Sequence, residues 1–244
     1  MKFSSSFLLL SSFSLITSAY STTILVSDNF DRADGSLVGT TPTPGPGGTW
    51  LHHSGTAGDL LITSGKAVVQ HGTSSEDANV PFAAQTVGVI TASFDITVHD
   101  ETAITGTNFE YFAHFKDGSN RFYARLDVVA PSGTAGNYTL GISTNGDTAE
   151  TTFPTDFNYG DTVTVNLSFD FATGLAALAV GSTTLSSTTS IPTGVTISAF
   201  ALRQSDSSND ETITVDNLVV SQVPETSAAL LGSLAMLRLL RRRR

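Results

Sequence analysis

Carboxylates, histidines and aromatic rings are the side chains of this chain that could do chemistry, and their spacing limits what that chemistry is. Hydrolysis of a glycosidic bond needs two carboxyl groups about 5 to 9.5 Å apart across the bond. Asp100-Glu101 and Asp210-Glu211 are adjacent pairs, and neighbours on a strand point to opposite faces. Glu110 lies on an alternating stretch but has no carboxylate two or four residues away. A serine nucleophile needs a positioned base and an oxyanion hole, and no Gly-x-Ser-x-Gly elbow is present. The histidines are His52, His53, His71, His99 and His114, with no His-x-x-x-His pair. His52 and His53 are neighbours in the Pro/Gly-rich loop and are expected to be exposed. No catalytic residue is assigned.

Two binding chemistries remain. Calcium takes about six to eight oxygen ligands from carboxylates and carbonyls. Asp28 and Asp216 are the metal candidates if the terminal strands pair, and a structural Ca²⁺ is the one cofactor suggested. Otherwise both carboxylates cap turns. Sugar binding uses aromatic platforms, for which Trp50, Tyr111 and Tyr123 are candidates. Tyr111 shares an alternating face with Phe109 and Phe115 and reads as core. Trp50, in the Pro/Gly-rich loop 40–58, is the expected exposed glycan contact.

Composition narrows the partners. Charged residues make up 14 % of the 244, Phe occurs 15 times and Cys is absent. No disulfide framework or Cys-containing zinc site can form. The formal net charge is −10, but six of the 12 basic residues lie at the ends: Lys2, Arg238 and Arg241, Arg242, Arg243 and Arg244. The remaining six face as many as 22 acidic residues, a net charge of about −16. A body this acidic repels nucleic acid and anionic lipid.

The ends read as processing segments. Lys2, the apolar run Phe7–Ile16 and Thr17-Ser18-Ala19 form a helical signal peptide over 1–19, cut by signal peptidase after Ala19. The C-terminus carries Val223-Pro224-Glu225, an apolar stretch Ala228–Leu240 and a terminal Arg cluster. A Pro-containing motif stays accessible, an apolar stretch enters the bilayer, and the cluster holds the last residues on the cytoplasmic side. This tripartite tail, 223–244, resembles the PEP-CTERM sorting signal. Val223, Pro224 and Glu225 match the start of the motif, and Arg241–Arg244 match the charge anchor. The resemblance implies processing by exosortase-type machinery, transient membrane insertion of a helical tail, and display at the cell surface or in the extracellular matrix. Thr226 stands where the motif usually has a second proline. Arg238 leaves about ten uninterrupted apolar or small residues, short of the roughly 20 of a spanning helix.

The body, 20–222, reads as one domain of short strands. Phe94, Ile96 and Val98 alternate with polar residues, as do Val163, Val165, Leu167, Phe169 and Phe171. Phe109, Tyr111, Ala113 and Phe115 form one expected face; Phe122, Ala124, Leu126 and Val128 form another across the turn Asp117–Asn120. Leu175–Val180, between Thr173-Gly174 and Gly181, is expected as a strand rather than a helix. The fold class is all-β, an antiparallel two-sheet sandwich. Asn166–Asp170 with Ala172-Thr173-Gly174, the opening Asp28–Arg32 and the closing Val215–Val220 resemble concanavalin A-like (laminin G-like) domains. That resemblance implies a jelly roll with a concave face and paired terminal strands. Hydrolases of this fold carry Glu-x-Asp-x-x-Glu on one strand, and the sequence lacks it. The expected function is a non-catalytic surface or matrix domain that contacts glycan or matrix, with extracellular polysaccharide as partner. The alternatives are a divergent polysaccharide hydrolase or lyase, and a structural matrix protein without ligand.

Overall fold

A computed structural model describes residues 21–70, 75–99, 109–133, 135–191, 193–204 and 212–224. The expected signal peptide with Ala19, most of the sorting tail with Glu225 and Arg241–Arg244, and the pairs Asp100-Glu101 and Asp210-Glu211 lie outside the described residues. So does His71.

The described chain is all-β. Its strands are β1 (Thr23–Asp28), β2 (Gly35–Ser36), β3 (Leu51–Ser54), β4 (Leu61–Thr63), β5 (Lys66–Val69), β6 (Asp77–Gln85), β7 (Val89–His99), β8 (Phe109–Lys116), β9 (Phe122–Val129), β10 (Thr139–Ser143), β11 (Thr151–Thr152), β12 (Thr162–Asp170), β13 (Leu175–Val180), β14 (Thr183–Ser186), β15 (Ile197–Arg203) and β16 (Thr212–Val223). Two antiparallel sheets stack. The nine-stranded one runs β14-β13-β12-β7-β16-β5-β4-β2, with β1 also on β16; the seven-stranded one runs β11-β10-β9-β8-β15-β6-β3. No described helix is long and apolar enough to cross a membrane.

The long alternations build the nine-stranded sheet. Along β12 the buried positions are Val163, Val165, Leu167 and Phe169, and along β7 they include Ile90, Ala92, Phe94 and Ile96. One face of each strand is apolar, so only one register buries both. Leu175–Val180 forms a strand, as its flanking turns require. It returns from β12 through Gly174 at φ 68°, a conformation glycine adopts without a Cβ penalty. The first and last strands pair, Asp28 opposite Leu218 and Thr23 opposite Gln222. Rings tie the sheets together: Phe200 meets Phe94 at 5.5 Å and Tyr123 meets Phe169 at 5.6 Å, while Phe115 packs on Phe200 within its own sheet at 5.9 Å. Such tilted and edge contacts add to the area that large aromatics bury.

Three sequence expectations are corrected. The segment 40–58 is not loop throughout, because Leu51–Ser54 pairs with β6. Tyr111 does not share the inner face with Phe115, because Phe112 is an extra residue that shifts β8 against β9. Phe122 does not join Leu126 and Val128, because Ala124, at φ 51°, bulges β9 and turns Tyr123 inward instead. A bulge changes which face a side chain takes.

Candidate functional site

The register of the seven-stranded sheet sets its outer face. Lys116 pairs with Ala199 and Phe122, His114 with Ala201, and Tyr111 with Asp127. Arg203 pairs with Asp77 and Ala201 with Asn79; Ser143 pairs with Arg125. All of these face away from the Phe94–Phe200 core. His53 joins them from β3, where it is the extra residue between His52 and Ser54.

This face is concave. Strands β3 and β9 are four steps apart in the sheet, roughly 19 Å if it were flat. Yet the rings of His53 and Phe122 lie 5.5 Å apart, so the sheet curls and the His53 bulge reaches across the hollow. The floor is aromatic and cationic. His114 packs on Phe122 at 4.4 Å and on Tyr111 at 5.8 Å. The Arg125 guanidinium lies 4.5 Å from the Tyr111 ring centre and 5.3 Å from that of Phe122, and Arg203 lies 4.2 Å from Tyr111. Stacking fixes both planar groups. Asp77 stands at the β6 end, its Oδ2 accepting a hydrogen bond from Ser54 Oγ at 2.7 Å.

Burial makes these groups titrate abnormally. The Asp77 carboxyl is pushed up to about 6 by burial, which outweighs the Ser54 hydrogen bond and the positive charge of Arg203. His114, fully buried, is driven well below its ordinary value by burial and then by Arg125, His53 and Arg203. His53 is lowered by burial and by Lys116. Burial raises Tyr111 despite the two arginines. Several buried polar atoms find no hydrogen-bond partner among the described residues: Asp77 Oδ1, both nitrogens of His114 and Nε of Arg125.

A cleft of about 390 Å³ opens at the β8–β9 end, lined by Asn120, Arg121, Phe122, Tyr123, Arg125, Asn145 and Ile191. One wall is the loop between β10 and β11. Glu150 clamps that loop: its Oε1 accepts Thr144 N at 2.9 Å, and its Oε2 accepts Thr188 N and Thr189 N, each at 2.6 Å. Burial alone would raise this carboxyl, but the three amides outweigh it and hold it below its ordinary value. The loop carries Asp147, which pairs with Arg125.

The sequence candidates fall elsewhere. Trp50 is not an exposed platform but fully buried. Its Nε1–H donates to Asp28 Oδ2 at 2.8 Å, and a buried indole takes such a partner. Asp28 is a hub rather than a free metal ligand. Its Oδ1 accepts Arg32 Nη1 at 2.8 Å and Phe30 N at 3.0 Å, and its Oδ2 also accepts Arg32 Nη2 at 2.9 Å. Asp216 sits opposite Asp95 on β7, with Oδ1 accepting the Asn217 amide. Asp28 pairs with Leu218, two positions from Asp216 on the neighbouring strand. Among the described residues no group of three or more His, Asp or Glu could hold a metal ion. Val223 ends β16, opposite Val89, and Pro224 follows it. His52 and His53, expected in a loop, lie on β3, and His114 lies buried on β8. Tyr111 was read as core, and His114, Phe122, Arg125, Arg203 and Asp77 were not assigned from sequence; the bulges of β8 and β9 hide the face that Tyr111, Phe122 and Arg125 share.

No family model matches the sequence. No curated protein matches it either. Solved structures do match in fold. Peanut lectin superposes at a TM-score of 0.51 with 12 % identity, covering 85 % of this chain and 100 % of that one. A seed lectin of Lotus tetragonolobus gives 0.50 and 12 %, with 82 % and 100 % covered. Botulinum neurotoxin type C, whose cell uptake depends on interaction with two ganglioside molecules, gives 0.52 and 11 %, with 86 % and 50 % covered. The chain thus has the two-sheet jelly-roll fold of concanavalin A-like lectins.

Proposed function

We propose that this is an exported surface or matrix protein that binds glycan on the concave face of its seven-stranded sheet. The observation that carries the reading is that face itself, where Tyr111 and Phe122 supply ring surface beside buried polar atoms whose hydrogen-bonding capacity is unmet among the described residues. A sugar offers what such a hollow lacks. Its C–H face stacks on a ring, and its hydroxyls both donate and accept. The lectin fold supports the same reading. Export, tail processing and exosortase partnership rest on the sequence of the two ends.

A second reading is a polysaccharide-cleaving enzyme. The observation favouring it is the gathering of Asp77, His53, His114 and Tyr111, all with shifted titration, on one concave face. A glycan array probed with the full chain tests both, followed by incubation with each polysaccharide that binds. Binding with unaltered polysaccharide length is the expected result. New chain ends would favour the enzyme, and an array without signal would sink both readings.

A further inference from the structure

The six basic residues of the body are unevenly placed. Lys116, Arg121, Arg125 and Arg203 lie on the concave face or its cleft, while Arg32 and Lys66 lie elsewhere. An acidic domain has thus collected two thirds of its positive charge in one hollow. Asp77, Asp117, Asp127 and Asp147 stand among these cations. Asp117 is engaged by its own turn, accepting Ser119 N at 2.7 Å and Arg121 N at 2.9 Å.

Arg125 is the informative group. Its side chain is nine-tenths buried, stacked on two rings, and directed into the cleft. Its Nε has no hydrogen-bond partner among the described residues. Its ion-pair partner, Asp147, is 78 % exposed and comes from the rim loop. A buried, ring-stacked guanidinium is a preorganised oxyanion receptor. An exposed carboxylate from a loop is held only weakly, since such ion pairs contribute little in water.

We propose that the ligand of this face is an acidic glycan, and that a carboxylate or sulfate on the sugar replaces Asp147 on Arg125. The inference rests on the glycan reading above and names the ligand's chemistry. Arg203, on the other contact of Tyr111, lies within about 9 Å of Arg125 and meets the neighbouring sugar or a second oxyanion. Asp147 is then an internal competitor that keeps the receptor filled until an oxyanion arrives.

Titration calorimetry on the full chain tests this with three probes of equal length: an oligouronate, a sulfated oligosaccharide and a neutral glucan. At least one acidic probe is expected to bind about tenfold or more tighter than the glucan, with affinity falling as salt rises. Which acidic probe binds identifies the oxyanion. Asp147→Asn is expected to tighten acidic binding by about threefold. Arg125→Lys keeps the charge but loses the fork and the stacking, and is expected to weaken binding by about tenfold. A thermal melt of each variant verifies that it folds. A glucan that binds as tightly as the acidic probes, or unchanged affinity in Asp147→Asn, overturns the inference while leaving glycan binding standing. No binding by any probe overturns the glycan reading itself.

Discussion

Asp77 shows how much the concave face costs the fold. Its carboxyl titrates near 6 rather than at the model-peptide value of 3.8, so the native state holds a proton that the unfolded chain has released. Between those values stability falls as pH rises, by about 3 kcal/mol in all. His53 and His114 act in the opposite sense. Their lowered values mean that the unfolded chain takes up protons first, so stability falls as pH drops below 6.5. Asp77→Asn isolates the first effect, since an amide oxygen can still accept from Ser54. The difference in Tm between variant and parent is expected to be near zero at pH 4 and to favour the variant by several degrees at pH 7. A difference independent of pH would show that Asp77 is not buried as described. Trp50 and Asp28 carry the complementary lesson. Sequence placed one in a loop and the other in a turn, and each reading was reasonable alone. The bond between them, across 22 residues, is a tertiary fact that local pattern does not encode.

At the scale of elements, strict alternation was readable and irregularity was not. β7, β12 and β13 bury the residues that period-2 spacing selects. On β8 and β9, the extra residue Phe112 and the positive φ of Ala124 break that spacing. The same breaks turn Tyr111 and Phe122 onto the concave face, so the site was hidden by the device that creates it. His53 is a third case, an extra residue on β3. The terminal strands were legible from Asp28–Arg32 and Val215–Val220, and they pair. Because β16 ends at Val223, truncation after Pro224 removes no described strand residue. That variant is expected to melt within about 2 °C of the full chain, since every described strand is kept. It should also differ from the full chain in cell fractionation. Identical fractionation would contradict a sorting role for the tail, and a large fall in Tm would make it part of the fold.

The whole molecule divides its labour between two outer faces. The outer face of the nine-stranded sheet is lined with hydroxyls and carboxylates that satisfy one another: Thr97 with Thr162, Thr91 with Ser221, and Asp95 accepting from Thr164 and Asn217. The concave face of the other sheet gathers rings, guanidinium groups and unmet polar atoms. Net charge read from sequence spoke against anionic partners, because a sum over the chain conceals where the few positive charges sit. The central claim is that the hollow binds glycan, and hydrogen–deuterium exchange of the full chain with and without an oligouronate tests it most directly. The account predicts slowed exchange in β8, β9 and the rim segments 117–121 and 144–150, with the nine-stranded sheet unchanged. Protection confined to the nine-stranded sheet, with the rim exchanging as in the free chain, would contradict it.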